Sequence, residues 1–140
     1  MLLVAGAVAS RAQEASAGRP QEVFQKVCGL CHKPETGLAT RRTREQWRET
    51  LEKMISKGLK ATDEELNTVF DYLVGQYGRV NVNRAAADEI AEVLGVSAKE
   101  AARIVKHRRD NGKFEDFDAL GKVPDLDLKK LEKSREAISF

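Results

Sequence analysis

Three times in this chain a Ser or Thr is followed three residues later by Gln or Glu, ahead of apolar residues at helical spacing. The pairs are Thr43 with Gln46, Thr62 with Glu65, and Ser97 with Glu100. A pair of this kind satisfies backbone N–H groups that a helix start leaves open, so it fixes where a helix begins. After the first pair, Trp47, Leu51, Met54 and Ile55 recur at i, i+4, i+7 and i+8, and Gly58 ends the stretch. After the second, Leu66, Val69, Phe70, Leu73 and Val74 form a wide apolar stripe that stops near Gly75 or Gly78. Residues 20–78 read as helical throughout, with no strand-like alternation, and the expected fold class is all-α.

Residues 79–140 form a second helical block. Helices are expected over 83–94 and 98–109, with a turn at Asn111-Gly112 and further helical pieces over 117–120 and 126–138. The join Leu94-Gly95-Val96-Ser97 is short enough to demand a tight helical hairpin. A weak 30-residue repeat aligns Gly95-Val96-Ser97 with Asp125-Leu126-Asp127, Lys99 with Lys129, and Ala101 with Leu131. Two copies of a helix-turn-helix unit around a shared core are expected.

At 140 residues the chain holds one ordinary domain or two small ones. Lys and Arg number 24 against 22 Asp and Glu, so the chain is not basic overall, as a general nucleic-acid coat would be. Aromatic residues are 6%, too few for a single-strand stacking platform. No apolar run reaches the length of a transmembrane helix. Residues 1–12 read as a truncated secretory signal peptide, with Ser10-Arg11-Ala12 as a cleavage site before Gln13. The mature protein is then expected in the periplasm or otherwise secreted.

Three of the four Cys and His residues lie in Cys28-Gly29-Leu30-Cys31-His32. This spacing is that of a c-type haem attachment site. Cys28 and Cys31 would add to the two vinyl groups of one porphyrin, and His32 would ligate the iron from below. A thioredoxin-like redox pair would sit beside a βαβ unit, which is not visible here. A structural zinc site lacks ligands, since the other histidine is distant at His107. Met54 is the expected distal ligand, with His107 or Lys57 as substitutes. As an apolar filler on the same stripe as Trp47 and Leu51, Met54 would serve packing alone.

On Cys28-Gly29-Leu30-Cys31-His32, Trp47…Met54 with Gly58, and Tyr72-Leu73-Val74…Tyr77-Gly78, residues 20–78 resemble the small monohaem c-type cytochromes. The resemblance implies a cytochrome c-like domain with one covalent haem c, carrying electrons to or from a redox protein such as a dehydrogenase or another electron carrier. It implies no enzymatic chemistry.

The second block, with Val80-Asn81-Val82-Asn83-Arg84-Ala85, Ile104, Arg108, Asn111-Gly112-Lys113-Phe114 and Val123, resembles the tandem helix-hairpin-helix module of the ComEA type. That resemblance implies either DNA binding, as in DNA-uptake receptors, or protein docking. The nucleic-acid version uses a Gly-hydrophobic-Gly turn whose N–H groups approach a phosphate. Here the turns read Gly95-Val96-Ser97 and Asp125-Leu126-Asp127, with a capping box in one and two carboxylates in the other. Residues 99–113 hold six Lys/Arg against two acids, and residues 115–127 five acids against one Lys. This bipolar pattern suits a protein partner better than the uniform field of DNA. Gly95, Ser97, Lys99, Arg103, Lys106 and Arg108 are the candidate partner or phosphate contacts.

The favoured reading at this point is a periplasmic electron-transfer protein with haem held by residues 20–78 and docking by residues 79–140. A DNA-binding or DNA-uptake protein with an attached haem domain is the alternative. A haem-based gas sensor, which needs Met54 off the iron, ranks last.

Overall fold

The computed structural model describes residues 19–140. The expected leader at residues 1–12 lies outside them. Helix α1 spans Pro20–Cys28, α2 Arg44–Ser56 and α3 Asp63–Tyr77. Both expected capping boxes form, with the Thr43 and Thr62 hydroxyls accepting the N–H groups of Gln46 and Glu65. Each such cap is worth about 0.5–2 kcal/mol. Gly58 sits at φ 101°, a left-handed position that ends α2 at low steric cost. Residues 29–43 are turns and irregular chain, which corrects the expectation of helix throughout 20–78. Two glycines and a proline between residues 29 and 37 account for that break.

Helix α3 runs through Gly75 and stops at Gly78, where a side chain has no room. A Cβ there would lie 2.0 Å from the Val74 carbonyl oxygen and 3.2 Å from Val93 Cγ1. The chain then enters β1 (Val80–Asn81), α4 (Ala87–Leu94), α5 (Ala98–Asn111), α6 (Phe117–Gly121) and α7 (Leu128–Lys133), a 3-10 turn (Arg135–Ala137), and β2 (Ile138–Ser139). Residues 83–86 are turn rather than helix, held by the Asn81 side chain accepting the Asn83 N–H at 2.9 Å. β1 and β2 pair in parallel, Val80 opposite Ile138. The fold is therefore mostly helical rather than wholly so.

One core runs through both blocks, from Phe24, Trp47 and Leu73 to Ile90, Ile104, Leu120 and Leu131. The blocks are also tied through polar groups. The Arg42 N–H donates to the Tyr77 carbonyl at 3.1 Å and the Arg79 N–H to the Arg42 carbonyl at 2.8 Å. Trp47 Nε1 donates to the same Tyr77 oxygen at 3.1 Å, and Arg44 pairs with Glu92 on α4. Among the described residues no helix is long and apolar enough to cross a membrane.

Candidate functional site

The first hairpin joins α4 to α5. Gly95 is left-handed (φ 66°) and its N–H reaches the Ala91 carbonyl at 3.0 Å. Val96 turns into the core, and Ser97 caps α5. The Ser97 hydroxyl accepts the Glu100 N–H at 3.2 Å, and Glu100 Oε2 accepts the Ser97 N–H at 2.7 Å. The Ala101 N–H returns to the Ser97 carbonyl at 3.0 Å. The N–H groups of Ala98 and Lys99, at the first two helical positions, have no acceptor within the helix. Both residues are exposed. The capping box therefore leaves two N–H groups of this turn open to an anion.

The second hairpin has the same backbone with different chemistry. Asp125 takes the left-handed position of Gly95, at φ 56°, the one positive φ outside glycine among the described residues. Asp127 takes the place of Ser97 and caps α7. Its carboxylate accepts the N–H groups of Lys129 at 3.1 Å and Lys130 at 3.2 Å. A side-chain anion thus occupies the ground a phosphate would need. The 30-residue repeat is visible in three dimensions, and Ala101 and Leu131 are both fully buried.

One residue joins the two turns. Glu100 is 7% exposed, and its second oxygen, Oε1, accepts the Asp127 N–H at 2.8 Å. The cap residues of both hairpins therefore share one carboxylate. Hydrogen bonds from Ser97 and then Asp127 hold it well below the ordinary range, at about 2. Its place in the capping box was legible in sequence; the link across 27 residues to Asp127 was not.

The basic candidates divide by environment. Lys99 is exposed and makes no ion pair among the described residues. Arg103 spans to the second hairpin, donating to the Asp125 carbonyl at 3.1 Å, with its carboxylate 3.6 Å away. Lys106 pairs with Asp110 one turn on. Arg108 turns inward and donates to the Val82 carbonyl at 2.6 Å, so it is a structural residue rather than a surface contact. His107 stacks on Phe114 with ring centroids 5.4 Å apart.

A separate cleft lies in the first block, between α1, α2 and α3. Its apolar wall includes Phe24, Val27, Trp47, Leu51 and Leu73. Cys28, Cys31, His32, Met54 and Lys57 line the same space, whereas His107 does not. The cavity volume is ≈ 250 Å³. Burial pushes the Cys28 thiol up from its usual value, away from the depressed pKa of a redox-active thiol. His32 Nδ1 lies 2.8 Å from the Lys33 carbonyl oxygen. A carbonyl only accepts, so this contact places the ring proton on Nδ1 and leaves the Nε2 lone pair free. Among the described residues, no group of three or more His, Cys, Asp or Glu could hold a metal ion by itself.

The geometry of 79–140, two α-hairpins with paired left-handed turns and capped second helices, meets its counterpart in known sequences. Residues 75–139 match the helix-hairpin-helix motif. The chain is 31% identical over 65 residues to ComE operon protein 1 of Bacillus subtilis (strain 168), covering 46% of this chain and 32% of that protein. It is 38% identical over 73 residues to the uncharacterized protein YdcI of the same organism, covering 52% of this chain and 10% of that one. The chain thus spans a third or less of the length of these relatives. No solved structure matches.

These matches overturn the reading of the chain as an electron-carrying c-type cytochrome with hairpins as an accessory. The helix-hairpin-helix motif is what ties this chain to known proteins, and it favours the alternative built on the hairpins over electron transfer to a redox partner. The labels of cytochrome and electron carrier fall with that reading.

Proposed function

We propose that this protein binds duplex DNA through its first hairpin and acts in DNA handling or uptake outside the cytoplasm. The carrying observation is the helix-hairpin-helix match over 75–139, joined to a turn that offers two uncommitted N–H groups beside Lys99. Helix N-termini of this kind suit phosphate oxygens, because the N–H groups and the dipole both favour an anion. Contacts of this type position a protein on DNA without reading its sequence. The near-neutral charge of the chain does not oppose this, because the local field over residues 99–113 is positive.

The test is fluorescence anisotropy of a labelled 30-base-pair duplex across a range of salt. Binding should weaken linearly in log–log form, and Lys99→Gln should flatten the slope by about 1. Absence of salt-dependent binding by the unaltered chain defeats the proposal.

A second reading concerns the cleft. We propose that it holds one covalently attached haem, with Cys28 and Cys31 as the thioether positions, His32 as the proximal ligand and Met54 on the facing helix as the distal candidate. What supports this is the fit of the residues: two thiols and a free imidazole nitrogen bordering one apolar cleft. The bound group would supply an iron centre that the side chains alone do not assemble. The Lys33 carbonyl would orient the ligating ring through Nδ1. Mass spectrometry of the denatured protein, matured in a host that attaches haem c, should show the mass of one haem, and none in Cys28→Ala/Cys31→Ala.

A further inference from the structure

A groove outside the helix-hairpin-helix motif gathers the basic residues of the first block. It is lined by Arg41, Arg42, Lys53, Lys57 and Arg79, with Glu49 as the one acid, and has a volume of ≈ 470 Å³. Five cations against one carboxylate is a strong local excess in a chain whose net charge is +2. Only Arg79 of this set falls inside residues 75–139.

The groove is part rigid and part open. Arg41 donates to the Gln76 carbonyl at 3.1 Å and to the Gly78 carbonyl at 3.3 Å. Arg42 donates to the Gly37 carbonyl at 2.7 Å and lies over the Trp47 ring at 4.7 Å. Both guanidiniums keep their charge, since carbonyls do not neutralise it. Lys53, Lys57 and Arg79 are exposed, and no ion pair among the described residues engages them. A neighbouring hollow, lined by Thr40, Arg41, Tyr77, Arg79, Glu136 and Ile138 among others, shares Arg41 and Arg79 with the groove and continues it to β2. Glu49 stands four residues before Lys53 on α2 without pairing with it, and Lys57 caps the end of that helix.

The groove also has a fixed relation to the hairpins. The Arg42–Gly78 backbone bridge, the Trp47–Tyr77 bond and the Arg44–Glu92 pair lock α2 to the chain entering β1 and to α4. Helix α4 in turn ends at Gly95, in the first hairpin.

We infer that this groove is a second phosphate-binding surface for the same DNA duplex, so that DNA bound by the first hairpin also touches α2 and Arg79. This rests on the DNA-binding reading above. Two cationic surfaces on one rigid body engage a long polyanion together, and the second contact forms at a high effective concentration. Each neutralised phosphate also adds to the salt dependence.

The test compares the unaltered protein with Lys53→Gln/Lys57→Gln and Lys99→Gln/Arg103→Gln, on duplexes of 8 and 30 base pairs. On the long duplex, Lys53→Gln/Lys57→Gln should weaken binding by on the order of tenfold and lower the salt slope by about 2. On the short duplex the same variant should bind nearly as the unaltered protein does. Circular dichroism of that variant should be unchanged, because both lysines are exposed. If Lys99→Gln/Arg103→Gln weakens binding and Lys53→Gln/Lys57→Gln does not, the groove is not a DNA surface. If the unaltered protein binds neither duplex, the DNA-binding reading itself fails, a distinguishable result.

Discussion

The two hairpins share a backbone and differ in charge. Gly95 and Asp125 both take left-handed conformations, and Ser97 and Asp127 both cap the helix that follows. In the first turn the cap is a neutral hydroxyl and the αL residue has no side chain. In the second, both positions carry carboxylates, and the cap itself covers two helix N–H groups. A repeated fold thus presents one turn to an anion and closes the other. A helix-hairpin-helix match therefore predicts architecture for both hairpins, while the proposed phosphate contact fits only the first. The second hairpin is kept as packing: Leu131 fills the core, and Arg103 and Glu100 tie its turn to the first helix pair.

The comparison can be broken most forcefully at the core. Leu131→Ala should destabilise the protein by about 2–5 kcal/mol, since the site is fully buried. Urea unfolding monitored by circular dichroism would check it, and a near-zero change would mean the second hairpin does not support the first. Next comes the shared carboxylate. Glu100→Gln keeps the shape but cannot accept from both N–H groups in the same way, so Tm at pH 7 should fall by on the order of 5 °C.

The acid dependence has a definite sign. The folded carboxyl titrates at about 2, below its ordinary value of 4.5, so its stabilising contribution is complete above about pH 4.5. It is lost as pH falls toward 2. The gap in Tm between the unaltered protein and Glu100→Gln should therefore close over that window; a gap that persists unchanged at pH 2 would contradict this account.

A smaller effect is expected on binding. Asp127→Ser makes the second turn resemble the first, removing one negative charge while keeping a cap. DNA affinity should rise several-fold, read by anisotropy, with little change in Tm. Smallest of all is Asp125→Gly. Relief of a left-handed side chain, of order 1 kcal/mol, is offset by the added freedom of the unfolded chain. The net change in stability should stay within about 1 kcal/mol.

Much of this was legible in sequence, because capping chemistry is local. Thr43, Thr62 and Ser97 each announced a helix start within four residues, and all three boxes form. Gly95-Val96-Ser97 and its repeat at 125–127 placed both turns. The losses share a cause: they depend on contacts distant in sequence. Arg108 looked like a surface cation and is spent on the Val82 carbonyl. Residues 83–86 carried a helical pattern, yet Asn83 is pinned to the Phe114 backbone in both directions at 2.8 Å. The basic groove was missed because its cations come from three separate stretches, 41–42, 53–57 and Arg79. The electron-carrier expectation had another origin. It rests on Cys28-Gly29-Leu30-Cys31-His32, whereas the motif that matches known proteins lies over residues 75–139.

The parallel pairing of Val80 with Ile138 brings the start and finish of the hairpin block side by side. A unit whose ends meet can be spliced into a longer polypeptide as a single excursion, without stretching or rerouting the host. It asks its neighbours for little more than two adjacent attachment points. Such a module is portable by construction, in keeping with a match that covers only 10% of one far longer relative.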